Sequence, residues 1–191
     1  MQKEGYIKKQ TFYLAIIATL IVGFIGGVLY SVYHSPAVNA EQQAGVNNAN
    51  TEELIAQLIK NAEGHPDEAL HWVELGHAYF DTGQAEKAIE SYNKALAIEP
   101  GNNDVRTDLG IMYFQNKQPK EAISMFDQAL TADPKHPQAR FNKGVVLLNA
   151  LNDEKGALQE WKTLLQVQPE FTVPSGQKLR DLVDGIEKKG N

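Results

Sequence analysis

The sequence predicts an all-α protein, a solenoid of three helical repeats with a capping helix at each end, preceded by one transmembrane helix. Two observations predict this fold. Leu75 and Leu109, like Gly76 and Gly110, lie 34 residues apart within longer matching segments, and a fixed period of this length is typical of stacked helical hairpins. In addition, residues 12–33 carry no charge, as expected of a membrane span.

Each repeat carries the residue types that a helical hairpin requires. Gly and Ala leave room where two helices approach closely, aromatic residues fill the space between them, and Pro ends the second helix. The first copy supplies Trp72, Leu75, Gly76, Tyr79, Ala88, Tyr92, Ala95 and Pro100. The second supplies Leu109, Gly110, Tyr113, Ala122, Phe126, Ala129 and Pro134, and a weaker third supplies Gly144, Ala157, Trp161 and Pro169. None of these positions indicates catalytic chemistry.

This order, Trp-x2-Leu-Gly-x2-Tyr, then Ala-x3-aromatic, then Pro, resembles the tetratricopeptide repeat (TPR) family. We expect the three repeats to occupy residues 67–102, 103–136 and 137–171. The third departs from the pattern, because Arg140 stands where Trp72 does and Lys143 stands where Leu75 does. It also has one added residue near Asn152, where we expect an altered turn with the fold retained.

The apolar run at residues 12–33 is long enough to cross a bilayer as one helix. Lys3, Lys8 and Lys9 precede it, so the positive-inside rule predicts a cytoplasmic segment at residues 1–11. The repeats are then expected on the periplasmic side of a bacterial inner membrane. A signal peptide cleaved before Glu41 is the alternative, but the run is longer than a signal's apolar region. Both readings place the repeats in the same compartment.

Small residues, including Gly23 and Gly27, recur along one face of the predicted membrane helix. Such a stripe allows a second helix to approach closely, which makes a helix partner in the membrane one hypothesis. The alternative is that glycine is simply frequent in membrane helices.

The segments that flank the repeats differ in pattern. Residues 34–49 are polar without apolar periodicity and predict a flexible linker. Residues 50–66 begin with a capping-box pattern at Asn50 and predict an N-terminal capping helix. Residues 172–191 predict a C-terminal capping helix. The residues expected to cover the apolar end of the last repeat are Leu179, Leu182, Val183 and Ile186.

Composition excludes several function classes. After residue 33 the chain has 15 Lys and Arg against 23 Asp and Glu, which argues against nucleic acid as a partner. It has no cysteine for thiolate catalysis or covalent haem attachment. The histidines lack the His-x3-His spacing of a metal site and have no carboxylate cluster in the pattern, so we expect no metal, no cofactor and no enzyme activity. We interpret His77 and Asp81 as a solvated pair on one helix.

The resemblance implies that the first helix of each repeat lines a groove that binds a protein or peptide. The repeat register then places these residues in the groove: Val73, Glu74, His77, Phe80, Asp104, Thr107, Asp108, Ile111, Phe114, Phe141, Asn142, Val145 and Leu148. This mixture of apolar and acidic groups suits an amphipathic segment with some positive charge. For each apolar member, packing against a neighbouring helix is the alternative. The Lys/Asn/Arg clamp of some TPR chaperone adaptors is absent from the corresponding positions.

The layout of the whole chain narrows the resemblance further. One anchor, a short lead helix and the opening Pro-Asp-Glu-Ala-x2-Trp-x2-Leu-Gly at Pro66 are similar to TPR components of cytochrome c biogenesis, which present apocytochrome to the haem-ligation machinery. The resemblance implies a membrane-anchored adaptor or chaperone. The alternatives are a scaffold for an envelope membrane complex, assembled through the membrane helix and the repeat surfaces, and self-assembly through exposed repeat faces.

Overall fold

A computed structural model describes residues 37–190, and within that range the secondary structure is helical, with one isolated bridge between Thr172 and Lys178. The described helices are α1 (Ala37–Gly64), α2 (Ala69–Asp81), α3 (Ala85–Ile98), α4 (Asn103–Gln115), α5 (Pro119–Ala132), α6 (Pro137–Asn149), α7 (Glu154–Val167) and α8 (Leu179–Gly190). The described part of the chain contains no helix that is both long enough and apolar enough to cross a membrane. The predicted cytoplasmic segment, the membrane helix and its small-residue stripe lie outside the described residues.

Helix α1 begins at Ala37, 13 residues before the predicted capping box at Asn50. Residues 37–49 are therefore helical in the structure, whereas the sequence pattern predicted a flexible linker there. The physical reason is composition, because Ala, Gln and Glu are favourable helix formers even where no apolar stripe marks a helix. The repeat unit, which starts at Glu53, contains the apolar half of α1. There Ile55, Ile59 and Ala62 pack with the core of the first repeat.

Three helical hairpins come next along the chain, formed by α2 with α3, α4 with α5, and α6 with α7. In each hairpin a glycine of the first helix faces an aromatic ring of the second: Gly76 faces Tyr92, Gly110 faces Phe126, and Gly144 faces Trp161. A Cβ atom built on Gly110 would lie 2.6 Å from Cε1 of Phe126, which is far inside van der Waals contact. These positions therefore exclude any side chain, as the sequence pattern predicted.

The second helix of every hairpin ends two residues before a proline, at Ile98, Ala132 and Val167. Ala88, Ala122 and Ala157 are fully buried on these second helices, where they allow close packing. Apart from Tyr113 and the prolines, the repeat-pattern residues are buried; Tyr113 is half-buried, and Pro100, Pro134 and Pro169 are exposed.

In each repeat, the fourth residue of the first helix donates a side-chain hydrogen bond to a carbonyl that precedes the helix. Nε1 of Trp72 donates to the carbonyl of Pro66 at 3.0 Å, and Nη2 of Arg140 donates to the carbonyl of Pro134 at 2.7 Å. Arg106 makes the same bond to the carbonyl of Pro100. An indole and a guanidinium thus perform one task, because both project a flat N–H donor six residues back along the chain.

The third repeat replaces apolar contacts by ion pairs. Arg140 contacts Glu160 at 2.7 Å, and Lys143 contacts both Glu160 and Asp127 at 2.7 Å. Burial of Lys143 opposes its charge, but the hydrogen bonds to Asp127 and Glu160 outweigh burial and raise its pKa. The charged side chains are therefore paired where Trp72 and Leu75 pack in the first repeat.

The turns between the two helices of each hairpin need one residue with positive φ. Gly83, Lys117 and Asn152 take this conformation, with φ of 68°, 60° and 54°. In the first two turns the next residue donates its N–H to the carbonyl of Tyr79 or Tyr113 at 2.8 Å. In the third, the N–H of Asp153 bonds to the carbonyl of Leu147, also at 2.8 Å, around one more residue. The predicted added residue thus enlarges this turn and leaves its closing bond intact.

Helix α8 lies against the last hairpin. Leu179 and Val183 are buried in one cluster with Trp161 and Leu164 of α7, and Leu182 and Ile186 are partly buried beside them. The helix begins at Leu179, after a short bridge in which Val173 N–H donates to the carbonyl of Gln177 at 2.9 Å. Apolar surface at the end of the last repeat is thereby covered.

The turn geometry makes Lys117→Gly a stabilising substitution. A residue with a side chain at φ 60° is less stable than glycine by about 1 kcal/mol. We expect the free energy of unfolding of a fragment starting at Asn50 to rise by about 1 kcal/mol, measured by urea denaturation. Gly83→Lys, which makes the reverse change in the equivalent turn, should lower it. If both variants unfold at the parental urea concentration, backbone strain at this position is not significant.

Candidate functional site

The predicted groove residues lie on the first helices α2, α4 and α6. Two of the polar contacts that these residues make join neighbouring repeats. Nε2 of His77 on α2 lies 3.4 Å from Oδ2 of Asp108 on α4. Nε2 of His136, the residue before α6, lies 3.1 Å from Oδ1 of Asp104 on α4. His77 therefore pairs across repeats, and the interpretation of His77 with Asp81 as a pair on one helix was wrong. His77 pairs with Asp108 because packing of the second repeat brings this carboxylate next to the exposed imidazole.

The hydrogen bonds of His136 define its tautomer. Its Nδ1 accepts from the backbone N–H of Ala139 at 3.3 Å and so caps α6. The ring proton is therefore on Nε2, which donates to Asp104 at 3.1 Å. His136 is 7% exposed, whereas the Asp104 side chain is 92% exposed. The Asp104 carboxylate, at the edge of the predicted groove, is thus bound by the buried His136 and remains open to solvent.

The apolar groove residues are all half-buried. Each packs on a hydrophobic cluster beneath it and leaves part of its side chain at the surface: Val73, Phe80, Ile111, Phe114, Phe141, Val145 and Leu148. They support the fold and also offer apolar surface. Packing, the alternative that the sequence left open, therefore holds for all seven residues, and ligand contact stays a prediction.

Two predicted groove residues, Thr107 and Phe141, are less accessible to a ligand than the repeat register predicted. Thr107 is 3% exposed, and its hydroxyl donates to the carbonyl of Asn103 at 2.8 Å, so it presents no polar group to a ligand. Phe141 stacks on Trp161 with ring centroids 6.2 Å apart. Its ring also lies 5.5 Å from that of Phe171, a contact that the repeat pattern does not predict. Asn142 is half-buried at the same end of the groove.

The predicted groove residues together carry a net negative charge. Glu74, Asp104 and Asp108 are the charged members of the predicted set, and no predicted groove position carries Lys or Arg. Burial raises the pKa of the Asp108 carboxyl, and Asp104 adds to the rise, while His77 lowers it by charge and by a hydrogen bond. The Tyr92 hydroxyl is buried nearby without a hydrogen bond among the described residues. Burial, followed by the charges of Asp108 and Asp81, raises its pKa.

A separate polar cluster lies at the start of the first repeat. One ligand atom each from His65, Glu68 and His71 lies within 4.8 Å of the others, an arrangement that is able to hold a metal ion. The cluster lacks His-x3-His spacing, so the sequence pattern does not reveal it. The chain instead folds back at residues 65–68, where Glu68 N–H donates to the His65 carbonyl at 3.1 Å, and this turn brings the side chains together.

Comparison with solved structures places the repeat unit among TPR folds. A crystal structure of MamA is 20% identical, with a TM-score of 0.60 over 65% of this chain and 72% of that one. The first TPR of Spaghetti (RPAP3) bound to the HSP90 peptide SRMEEVD is 23% identical, with a TM-score of 0.57 over 64% of this chain and 92% of that one. The Arabidopsis OM64 TPR domain is 18% identical, with a TM-score of 0.57 over 64% and 96%. At these identities the likeness shows the fold alone.

The curated proteins contain no match to this sequence. The family model described as the cytochrome c-type biogenesis protein H TPR domain matches residues 34–171. The match spans all three hairpins, and it confirms the resemblance that the repeat pattern indicated. The chain belongs to the family of cytochrome c-type biogenesis protein H TPR domains.

Proposed function

We propose that this chain is a membrane-anchored adaptor or chaperone that binds an amphipathic, positively charged protein segment in the groove of its repeats during cytochrome c maturation. The observation that carries the proposal is the surface formed by α2, α4 and α6. It combines half-buried apolar side chains with Asp104 and Asp108 and has no Lys or Arg at its predicted positions. An amphipathic helix would place its apolar side on the half-buried apolar side chains and its cations against Asp104 and Asp108.

The charge of the groove supports a basic ligand over an acidic one. The RPAP3 structure contains the peptide SRMEEVD, in which acidic residues outnumber basic ones. A segment of that kind would meet Glu74, Asp104 and Asp108 here, and like charges brought together at an interface cost several kcal/mol. Unfolded apocytochrome is the partner that the family membership suggests.

The proposed location is the periplasmic face of a bacterial inner membrane, with residues 12–33 as a single uncleaved anchor and residues 1–11 in the cytoplasm. The length of the apolar run and the lysines before it support this arrangement. N-terminal sequencing of the chain extracted from membranes is expected to begin at or next to Met1. A chain that begins at Glu41 would instead establish cleavage of a signal peptide.

The groove proposal predicts a preference that depends on charge. Two synthetic amphipathic peptides with identical apolar positions, one with Lys and one with Glu at its polar positions, serve as ligands for a fragment starting at Asn50. We expect the Lys peptide to bind at least about tenfold more tightly, because only it places cations near Asp104 and Asp108. Fluorescence anisotropy measures both affinities, and apocytochrome c is the full-length ligand in the same assay.

The matching variant is the double substitution Asp104→Lys, Asp108→Lys, which should reverse this preference. Asp184→Lys, an exposed change on α8, is the control for a general effect of charge. A preference that survives the double substitution, or that disappears in the control, would place the binding surface elsewhere. Phe114→Ala tests the apolar component, because its half-buried ring lies in the same surface.

We expect the ionised Asp108 to lower the free energy of unfolding of the protein, although its charge contributes to the proposed ligand binding. Its pKa is raised by folding, so the protonated folded form is favoured. Stability therefore falls as pH rises from the ordinary carboxyl range through the folded pKa, and the loss is complete above it. We expect Asp108→Asn to unfold at a higher urea concentration than the parent at neutral pH, with the difference vanishing in acid. Asp81→Asn, at an exposed residue, is the control. A destabilised Asp108→Asn variant at neutral pH would show that the His77 pair outweighs burial.

A further inference from the structure

We propose that His65, Glu68 and His71 bind a divalent transition-metal cation, with zinc as the best fit, at the start of the first repeat. The residues come from the turn after α1 and from the first turn of α2. Two imidazoles and a carboxylate are donors that zinc accepts readily, whereas magnesium and calcium prefer oxygen ligands alone. The three proposed ligands lie outside the predicted groove set.

Two distances within the cluster match the spacing of ligands around one ion. Nδ1 of His65 lies 3.4 Å from Oε1 of Glu68, and Nε2 of His71 lies 3.4 Å from Oε2 of Glu68. A good N–H···O hydrogen bond is about 2.7–3.2 Å long, so both contacts are weak, like the 3.4 Å contact of His77 with Asp108. Ligands held about 2.0–2.1 Å from a tetrahedral zinc ion lie roughly 3.4 Å apart. All three ligand atoms lie within 4.8 Å of one another, and the His65 side chain is 59% exposed, so side-chain rotation would bring the two imidazoles to that spacing.

His71 also has a carboxylate on the side where zinc-binding histidines have their outer contact, although it is beyond hydrogen-bond range in this structure. Its Nδ1 is buried, makes no hydrogen bond among the described residues, and lies 3.6 Å from Oε2 of Glu74. If Nε2 binds the ion, Nδ1 carries the ring proton, and a rotation of the partly exposed Glu74 side chain would bring its carboxylate within hydrogen-bond range of that proton. A carboxylate that accepts from the far nitrogen of a metal-bound imidazole orients the ring and increases its basicity.

The Glu68 carboxylate is free for this role. Glu68 is the N-cap residue of α2, yet its side chain makes no capping hydrogen bond. At the equivalent position before α4 and α6, the side chains of Asn102 and His136 accept from the backbone. The first helix of the first repeat thus has no side-chain cap, whereas those of the other two repeats have one. The Glu68 carboxylate lies instead between the imidazoles of His65 and His71. Three protein ligands leave the fourth position of the ion for water or a partner's group.

Calorimetric titration of the full-length, tag-free chain in detergent with zinc chloride tests the site. We expect about one zinc ion per chain, with an affinity that falls at mildly acidic pH because protonated imidazole does not bind metal. His65→Ala and Glu68→Ala should each weaken binding at least about tenfold, whereas His65→Cys, which keeps a zinc ligand, should retain it. Glu74→Gln should weaken binding by about tenfold through the outer contact.

His77→Ala is the matched control, because His77 is also exposed and also lies 3.4 Å from a carboxylate, but has no second imidazole in a described cluster. It should bind zinc like the parent. The proposal is overturned if the parent gives no heat beyond the detergent blank. It is equally overturned if His65→Ala and Glu68→Ala bind zinc as tightly as the parent does, since the ion would then be held elsewhere. Circular dichroism of each variant confirms that loss of binding is not loss of fold.

Discussion

The close contact between a glycine and an aromatic ring is the constraint on which the repeat unit depends. Gly76, Gly110 and Gly144 each face a ring from the second helix of their hairpin, and a Cβ at any of them would overlap that ring. Other positions tolerate exchange because they need only a donor or a paired charge. Arg106 and Arg140 keep the hydrogen bond that Trp72 makes, although they are chemically different from it. The three glycines have no such replacement, because every other residue carries a Cβ atom.

The sequence predicted the hairpins well because each depends on residues that recur at a fixed interval and pack within one repeat. It predicted the enlarged third turn because an added residue changes that interval. The start of α1 at Ala37 escaped prediction, since helix propensity without an apolar stripe leaves no periodic signal. Arg106 was also missed, although its position equivalent to Trp72 was a signal that could have found it.

The candidate site was predicted less completely, because register locates a residue on a helix but not the groups that cover it. Thr107 falls at a groove position, yet its hydroxyl bonds to its own helix and the residue is buried. The pairing of His77 with Asp108 depends on how two repeats pack, which no single-helix spacing contains. The cluster of His65, Glu68 and His71 depends on a turn, so a search for helical metal-ligand spacing could not find it.

The C-terminal segment packs against a predicted groove residue and also covers the end of the core. The third repeat has Arg140 and Lys143 where the first has Trp72 and Leu75, and buried ion pairs often give less net stabilisation than apolar packing of similar volume. In a linear array each repeat relies on its neighbours, so this repeat depends on the segment that is C-terminal to it. Phe171 and α8 supply that support through the cluster around Trp161. Because Phe141 touches both Trp161 and Phe171, the packing that stabilises the last repeat also fixes an aromatic side chain of the groove.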